Sequence, residues 1–554
     1  VTAWNGSASA NFTLGALPRI NLNHTRSRIE YKLLTRLDDR KSWSTSLQYG
    51  VPLATRFAPK TIDLNAGYSQ YDVTFDALRA RKIAGNFDTH ELTTNFGTRL
   101  TFIPWAGSAF NPSYSLTKVT EKRSDFTGAV EKHFAYPKSL AEKVDVSSNY
   151  RLLRWLNPQV NYTIDILENN ATVSTSTFFV GASTLVFPIG GIKTVNRSAN
   201  GSISLPITIG EITSRTKLFR SLNIISGYQT QDGDVWNNVE SGLNTMKALW
   251  VRTPLRPKSP VAQRITQTLR DTFNSTQRWS PLDAYTITGR PGAFRTLNLS
   301  NNYIRSLQRN DTTGTLTKTV STTFPDLVAS LGQLEQLLFT ERWMTNTQMN
   351  FKYAEHKTEN IGTSLSSDDA FGTDLRSIVR RRFDTLVSYN TRNSSTKDLR
   401  IRANTQKSAH QDATVQVTFD IRKFRFTPKV DYGHDTTQLG TGVKTQDIQT
   451  ITPSLLIRAD LALPRGLMLP GSKRALLFTN RIIWTTTMSL AERKSPVTIA
   501  DNSRLFNLTT SGDYEIAKNL RMTLNGAAAR LWHKFLKEEE FISYQFGTTL
   551  TFQF

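Results

Sequence analysis

Side chains that could carry metal or acid–base chemistry are few and scattered along the chain. No cysteine is present, which excludes a thiol nucleophile, a disulfide framework and a thiolate zinc site. No two histidines stand at the i, i+4 spacing of a helical zinc motif. The seven histidines are His24, His90, His133, His356, His410, His434 and His533. We therefore predict that the protein has no metal site.

Motifs of nucleotide-dependent and hydrolytic enzymes are also missing from the sequence. It contains no GxxxxGK[ST] phosphate loop, no strand–GxGxxG–helix unit and no GxSxG nucleophile elbow. Folding could still assemble a Ser-His-Asp constellation from distant residues, but no pattern points to one. We predict that the protein is not an enzyme and has no cofactor.

The charge balance points to an anionic partner. Lys and Arg total 68 against 45 Asp and Glu, a formal charge of +23. Nucleic-acid binding would cluster basic and aromatic residues in one groove, whereas the aromatics here follow strand alternation, so we predict no nucleic acid. Loops that contact lipid phosphates and an inward face that favours anionic passengers both remain open. The triplet Arg380, Arg381 and Arg382 is either a solvated loop face or a contact for lipid phosphate or acidic cargo.

The elements that would position these side chains show a period of two. In the last 13 residues, one parity is mainly apolar and the other polar, and successive side chains of a strand point to opposite faces. The first set is Ile542, Tyr544, Phe546, Thr548, Leu550, Phe552 and Phe554. The second is Ser543, Gln545, Gly547, Thr549, Thr551 and Gln553.

Similar runs recur along the chain, for example at residues 43–49, 415–422 and 506–514. Many span about 9 to 14 residues, which suits a tilted strand crossing a bilayer rather than a soluble strand of about 5 or 6. Lipid-exposed strands must close on themselves to pair their backbone. The sequence therefore predicts an all-β protein: a large antiparallel transmembrane β-barrel in the bacterial outer membrane. We expect roughly 22 to 26 strands, a polar lumen and a few long loops containing short helices.

Three segments interrupt the alternation. Residues 233–292 predict a long loop, external or folded into the pore, which is our candidate gate or partner platform. Within it, apolar residues at steps of four over Val261–Phe273 predict a short helix. The other breaks are Pro325–Leu338, with leucines at helical spacing, and Asp368–Arg382. The chain begins on strand-like sequence without a leader pattern. The chain is then either a mature protein or a piece of a longer one. We expect residues 1–554 to form a single barrel, and we favour a piece, the C-terminal part of a longer chain.

The last strand resembles the C-terminal insertion signal of bacterial outer-membrane barrel proteins. The residues that carry this resemblance are Tyr544, Phe546, Leu550, Phe552 and Phe554. In those proteins the last strand is recognised by the barrel-assembly machinery. The resemblance thus implies outer-membrane lipid and that machinery as partners.

A narrower resemblance concerns two segments of the C-terminal half. Residues Arg504–Leu524 are similar to the penultimate hairpin of SprA-type proteins, and Thr323–Leu337 resembles an FPD-containing stretch of the same family. Those proteins form the translocon of the type IX secretion system. This resemblance implies a protein-conducting channel that exports proteins through a polar lumen, with secreted cargo and accessory secretion subunits as partners.

Two other classes of function stay open. A lipid or small-molecule transporter is one; LptD-type barrels have a comparable length but usually carry cysteines, and TonB-dependent receptors carry an N-terminal plug. A structural or adhesive barrel without transport is the other.

Overall fold

The computed structural model describes residues 2–552 apart from 14–16, 33–35, 53–57, 76–87, 128–129, 171–175, 181–182, 188–190, 213–215, 246–251, 254, 288, 402–404, 463–480 and 518–519. Within these residues the chain is almost entirely β-structure. Its strands are β1 Thr2–Phe12, β2 Arg19–Tyr31, β3 Arg36–Gly50, β4 Thr61–Phe75, β5 Asp88–Thr101, β6 Ala109–Thr127, β7 Val130–Asn149, β8 Gln159–Asn169, β9 Ser176–Val180, β10 Ser183–Phe187, β11 Ile192–Thr208, β12 Asn223–Glu240, β13 Gln263–Trp279, β14 Asn298–Thr312, β15 Thr315–Gly332, β16 Met344–Asn360, β17 Ser364–Val379, β18 Phe383–Asp398, β19 Gln406–Ile421, β20 Phe424–Leu439, β21 Lys444–Ala462, β22 Arg481–Lys494, β23 Ser503–Ala517, β24 Leu520–His533 and β25 Phe541–Phe552.

Among the described residues, helical structure is confined to short turns between strands. Two α-helical turns span Ile209–Ile212 and Leu334–Leu337, and 3₁₀ turns span Lys217–Phe219, Arg290–Thr296, Ile499–Asp501 and Lys537–Glu539. No helix among the described residues is both long and apolar enough to cross a membrane.

Twenty-three strands belong to one antiparallel sheet, and β9 and β10 form a separate two-stranded hairpin. The predicted fold class is confirmed, and 23 falls within the predicted range of strand numbers. Most strands are 11 to 20 residues long, as the long alternating runs predict.

The chain divides into two compact units. Unit 1 comprises Val1–Ile207, Ile225–Ser275 and Arg305–Val320. Its strands pair so that bulky apolar side chains meet on one face: Trp43 lies opposite both His24 and Tyr68, and Leu47 lies opposite Leu64. Trp43 and Tyr68 are exposed. We call this the apolar face of unit 1, and the opposite side, with Ser42, Ser44 and Ser46 of β3, its polar face.

Unit 2 comprises Thr208–Ile224, Thr276–Ile304 and Ser321–Phe554. Its registers likewise align apolar side chains across strands: Met488 lies opposite Leu508, Leu508 opposite Ala528, and Ala528 opposite Tyr544. This set defines the apolar face of unit 2. Exposed members on other strands are Tyr353, Phe371, Tyr389, Val415, Val430 and Ile451. Large apolar side chains exposed in rows are what a lipid-facing surface requires.

The helix predicted over Val261–Phe273 is wrong, because residues Gln263–Trp279 form strand β13. Residues 233–292 therefore do not form one loop; they hold the end of β12, the connection 241–262, β13 and part of the connection 280–297. In the second predicted break, β15 continues to Gly332 and only Leu334–Leu337 is helical. The third break is also mostly strand, since β17 runs to Val379.

Candidate functional site

The polar face of unit 2 carries a ladder of aspartates that accept hydrogen bonds from directly opposite residues of the neighbouring strand. The donors are short amides and hydroxyls. The pairs are Asn350–Asp374 at 2.7 Å, Asn390–Asp412 at 2.8 Å, Thr414–Asp431 at 2.6 Å and Thr523–Asp513 at 2.7 Å. Repeated bonding across strands fixes these side chains as a continuous polar surface.

Cations flank the same aspartates on this face. Lys429 Nζ lies 2.8 Å from Asp431, and Arg521 lies 2.8 Å from Asp513. All four side chains are partly exposed, so each pair adds little to stability. Two of the four ladder aspartates, Asp431 and Asp513, thus have a cation beside them.

Unit 1 has a comparable arrangement on its polar face. Lys138 Nζ bridges Glu91 at 2.6 Å and Glu121 at 2.9 Å. The Tyr136 hydroxyl donates to Glu121 at 3.1 Å. A register shift between β6 and β7 at Val119 and Thr120 brings Tyr136 opposite Glu121, and the contacts span up to 47 positions of sequence, so alternation alone does not predict them.

A buried charge cluster lies on the other side of unit 1, on the apolar face of β11 and β12. Arg197 is fully buried; its guanidinium lies 3.0 Å from Asp232 and 3.6 Å from Asp234. Both aspartates are also buried. Ile166 stands directly opposite Arg197 in the register, so the cluster has an apolar surrounding.

The described part of the connection 241–262 is bonded to this cluster through Arg252 and to neighbouring residues of the sheet at further points. The backbone N–H of Arg252 donates to Asp232 at 2.7 Å, and its guanidinium reaches Asp271 at 2.5 Å. This hydrogen bond raises the pKa of Arg252 above its usual range. Thr245 donates to buried Glu168, whose partner Lys193 also donates to the carbonyl of residue 243 at 2.9 Å.

Apolar packing completes the attachment of this connection. Leu255 is buried against the apolar core of unit 1, and Leu243 packs beside it. The other buried members of that core are Ile164, Ile166, Val195, Ala199 and Val239. The described part of the connection thus lies on the apolar face, not on the polar face.

Four of the five residues predicted to act in barrel assembly lie on strand β25. Tyr544 is 80% exposed, Phe546 77% and Leu550 56%, all on the apolar face of unit 2. Phe552 ends β25 opposite Leu520. Phe554 lies outside the described residues. The role of these residues in assembly stays a prediction.

The arginine triplet occupies the tight turn between β17 and β18. Arg380 and Arg381 have positive φ angles, 48° and 57°, as a turn of this kind demands. The Arg380 guanidinium stacks 4.8 Å from the ring centroid of Trp343, and the backbone N–H of Arg380 donates to the Trp343 carbonyl at 2.6 Å. The triplet does not form part of the aspartate ladder or of the cluster around Arg197. Its contact with an anion stays a prediction.

Sequence reasoning missed the cluster around Arg197. A signal was nevertheless present: Arg197 shares parity with Val195 and Ala199, and Asp234 shares parity with Tyr228 and Trp236. Opposite charges at apolar-parity positions of two strands indicate a buried pair, since an unpaired charge there would be costly.

The long two-faced strands and the exposed apolar rows agree with the predicted transmembrane β-sheet architecture, and the location in the outer membrane stays a prediction. No protein-family model and no curated protein matches the sequence. Solved structures with similar folds include the outer membrane transporter YddB from Escherichia coli, at 10% identity and a TM-score of 0.34, over 93% of this chain and 74% of that chain.

Two further similar structures are also of outer-membrane proteins. The FrpB iron transporter from Neisseria meningitidis is 8% identical with a TM-score of 0.37, over 94% of this chain and 81% of that one. The siderophore receptor PirA from Pseudomonas aeruginosa is 9% identical with a TM-score of 0.30, over 98% and 81%. At these values no residue role passes to this chain. The resemblance to SprA-type translocons finds no support among them and stays a prediction.

Proposed function

We propose that this protein is an outer-membrane transporter that passes hydrophilic solutes along the polar face of its sheet and does no bond chemistry itself. The observation that carries this proposal is the aspartate ladder of unit 2, a surface of fixed polar side chains backed by an apolar face. Ionised side chains are costly against hydrocarbon and stable beside water. A face of this composition therefore suits the wall of an aqueous passage.

Single charge changes on the wall test this proposal. In Asp431→Asn, Lys429 loses its partner and the wall gains positive charge, so we expect a shift toward anion selectivity. Lys429→Gln should shift selectivity toward cations. The full chain is reconstituted in planar bilayers, and the reversal potential is measured under a salt gradient. The two shifts should be of similar size, about a few millivolts at 0.1 M salt, and should fade at 1 M, where the Debye length is only about 3 Å.

A matched control lies on the other face of the same sheet. Glu355 pairs with Lys357 and shares parity with exposed Tyr353, so Glu355→Gln should leave the reversal potential unchanged. If both wall variants shift the potential in the same direction, or not at all, the polar face does not line the passage. A protein with no conductance at all would favour the structural or adhesive barrel.

Protein export is the second candidate function. The segment Arg504–Leu524, on which the resemblance to SprA-type translocons rests, falls in the hairpin of β23 and β24. The test compares secreted and periplasmic proteomes with and without the gene. Loss of a defined set of large proteins from the medium, with their accumulation in the periplasm, would support export. Intact secretion with altered solute uptake or outer-leaflet lipid would support the transporter.

The connection 241–262 has a proposed role of its own. Because its described part packs on the apolar face, we favour a partner platform over a gate folded into the passage.

A further inference from the structure

A basic cleft of about 670 Å³ lies in unit 2, at the edge formed by the first residues of β21 and β23 and the last residues of β22 and β24. Its lining contains five cations and one acid. The cations are Arg493, Lys494, Arg504, Lys534 and Lys537; the acid is Glu492. Trp532 and buried His533 complete the aromatic part of the wall.

The cleft continues the apolar face of unit 2. One cross-strand row on that face contains Met488, Leu508, Ala528 and Tyr544. The next row contains Leu490, Phe506, Arg530 and Ile542. The third contains Glu492, Arg504 and Trp532. Rows on one face are about 7 Å apart along a strand. Charge therefore enters with Arg530 in the second row and with Glu492 and Arg504 in the third row, at the cleft.

The acids around the cleft do not balance its cations. The Glu492 carboxylate forms ion pairs with both Arg504 at 2.9 Å and Lys494 at 3.2 Å, so one acid is shared by two cations. Arg493 contacts Asp501 at 3.2 Å. The Lys534 ammonium lies 5.2 Å from the ring centroid of Phe535.

The remaining cation, Lys537, donates to Glu540 at 2.9 Å, and this bond lowers the pKa of Glu540. Glu540 therefore stays ionised near neutral pH. The lining itself holds five cations against one acid, Glu492, while Asp501 and Glu540 pair with Arg493 and Lys537 from outside it.

Trp532 and Arg530 mark this level of the sheet as an interface. The Arg530 guanidinium lies 4.6 Å from the Trp532 ring centroid. Tryptophan and arginine favour the boundary between hydrocarbon and head groups, where one end of the side chain is apolar and the other wet.

We propose that this cleft binds the phosphate of an anionic lipid whose acyl chains lie along the adjoining apolar rows. The excess cations supply charge-assisted hydrogen bonds to the phosphate oxygens. The rows of Leu490 and Met488 supply the surface for the chains. The lining combines the third row of the apolar face with Arg493 and His533 of the polar-face row, so the cleft lies at the edge of the sheet where the two faces meet.

The test measures lipid binding to the detergent-purified full chain by native mass spectrometry. The probes are phosphatidylglycerol and phosphatidylcholine with the same acyl chains, with inorganic phosphate as competitor. The wild type should retain phosphatidylglycerol in preference to phosphatidylcholine. The triple variant Lys494→Gln, Arg504→Gln, Lys534→Gln should bind phosphatidylglycerol at least tenfold more weakly, since each basic residue near anionic lipid contributes about fivefold.

The control variant removes three cations from the polar face: Lys352→Gln, Arg392→Gln and Lys429→Gln. It should bind phosphatidylglycerol as the wild type does. Lys534→Gln alone breaks no ion pair described above and should still weaken binding about fivefold, which separates loss of the site from loss of folding. Equal binding by the wild type and the triple variant would overturn the proposal. So would displacement of the lipid by millimolar inorganic phosphate, which would assign the cleft to a free anion.

Discussion

Arg197→Met is expected to detach the connection 241–262 from the sheet and to lower the free energy of unfolding by about 3–5 kcal/mol. Methionine fills much of the volume of arginine but leaves Asp232 and Asp234 buried without their cation. The carboxylates can regain water only if the bonded segment moves away. That segment is held to Asp232 through the backbone N–H of Arg252, so the same loss loosens its attachment.

Limited trypsin digestion and thermal unfolding measure this effect. Arg252, Arg256 and Lys258 offer cleavage sites in the connection, and we expect cleavage there to become at least tenfold faster in the variant. The control is the triple variant Arg197→Met, Asp232→Asn, Asp234→Asn, which removes the whole charge set and should restore most of the stability. If the single and triple variants unfold alike, the loss in free energy of unfolding comes from packing around Arg197. It does not then come from the unpaired carboxylates of Asp232 and Asp234.

The second large effect is expected at Phe546→Lys on the last strand. This position is 77% exposed on the apolar face of unit 2. A lysine on the lipid side near the middle of a transmembrane strand costs about 2–4 kcal/mol. We expect a much lower yield of folded protein in the outer membrane, measured by heat-modifiable mobility on gels and by urea unfolding in liposomes.

A control one residue away makes the comparison sharp. Gln545 points to the polar face, so Gln545→Lys adds the same charge to the same strand on its wet side and should cost less than about 0.5 kcal/mol. Equal losses for the two variants would show that charge anywhere on β25 blocks assembly. The assignment of Phe546 to the lipid side of the strand would then be wrong. The insertion signal predicted from the sequence would be wrong as well.

Alternation was enough to predict the sheet, its approximate strand number and the facing of β25. The physical reason is that a two-residue period follows directly from strand geometry and needs no knowledge of partners. The wrong helix at Val261–Phe273 has an equally simple cause. Steps of four are a multiple of two, so Val261, Ile265, Leu269 and Phe273 share one side of a strand as well as one side of a helix.

The sites depend on registers that the sequence does not state. Arg197 and Asp232 are 35 positions apart, and their contact exists because the pairing of the strands places them at one level. The basic cleft likewise draws on residues from Gln449 to Lys537. Sequence reasoning places each of these residues on a face, but which of them become neighbours is decided by pairing and by the folding back of connections.

The buried cluster has a consequence for how this protein can vary. Loss of Arg197 alone leaves two carboxylates in an apolar surrounding, and loss of both aspartates leaves an unpaired cation, whereas loss of one aspartate leaves a balanced pair. Substitution of Arg197 is therefore expected to be concerted with that of the aspartates. Relatives should keep Arg197 with at least one aspartate or lack all three charges, so that co-variation of distant columns would reveal the cluster without any structure.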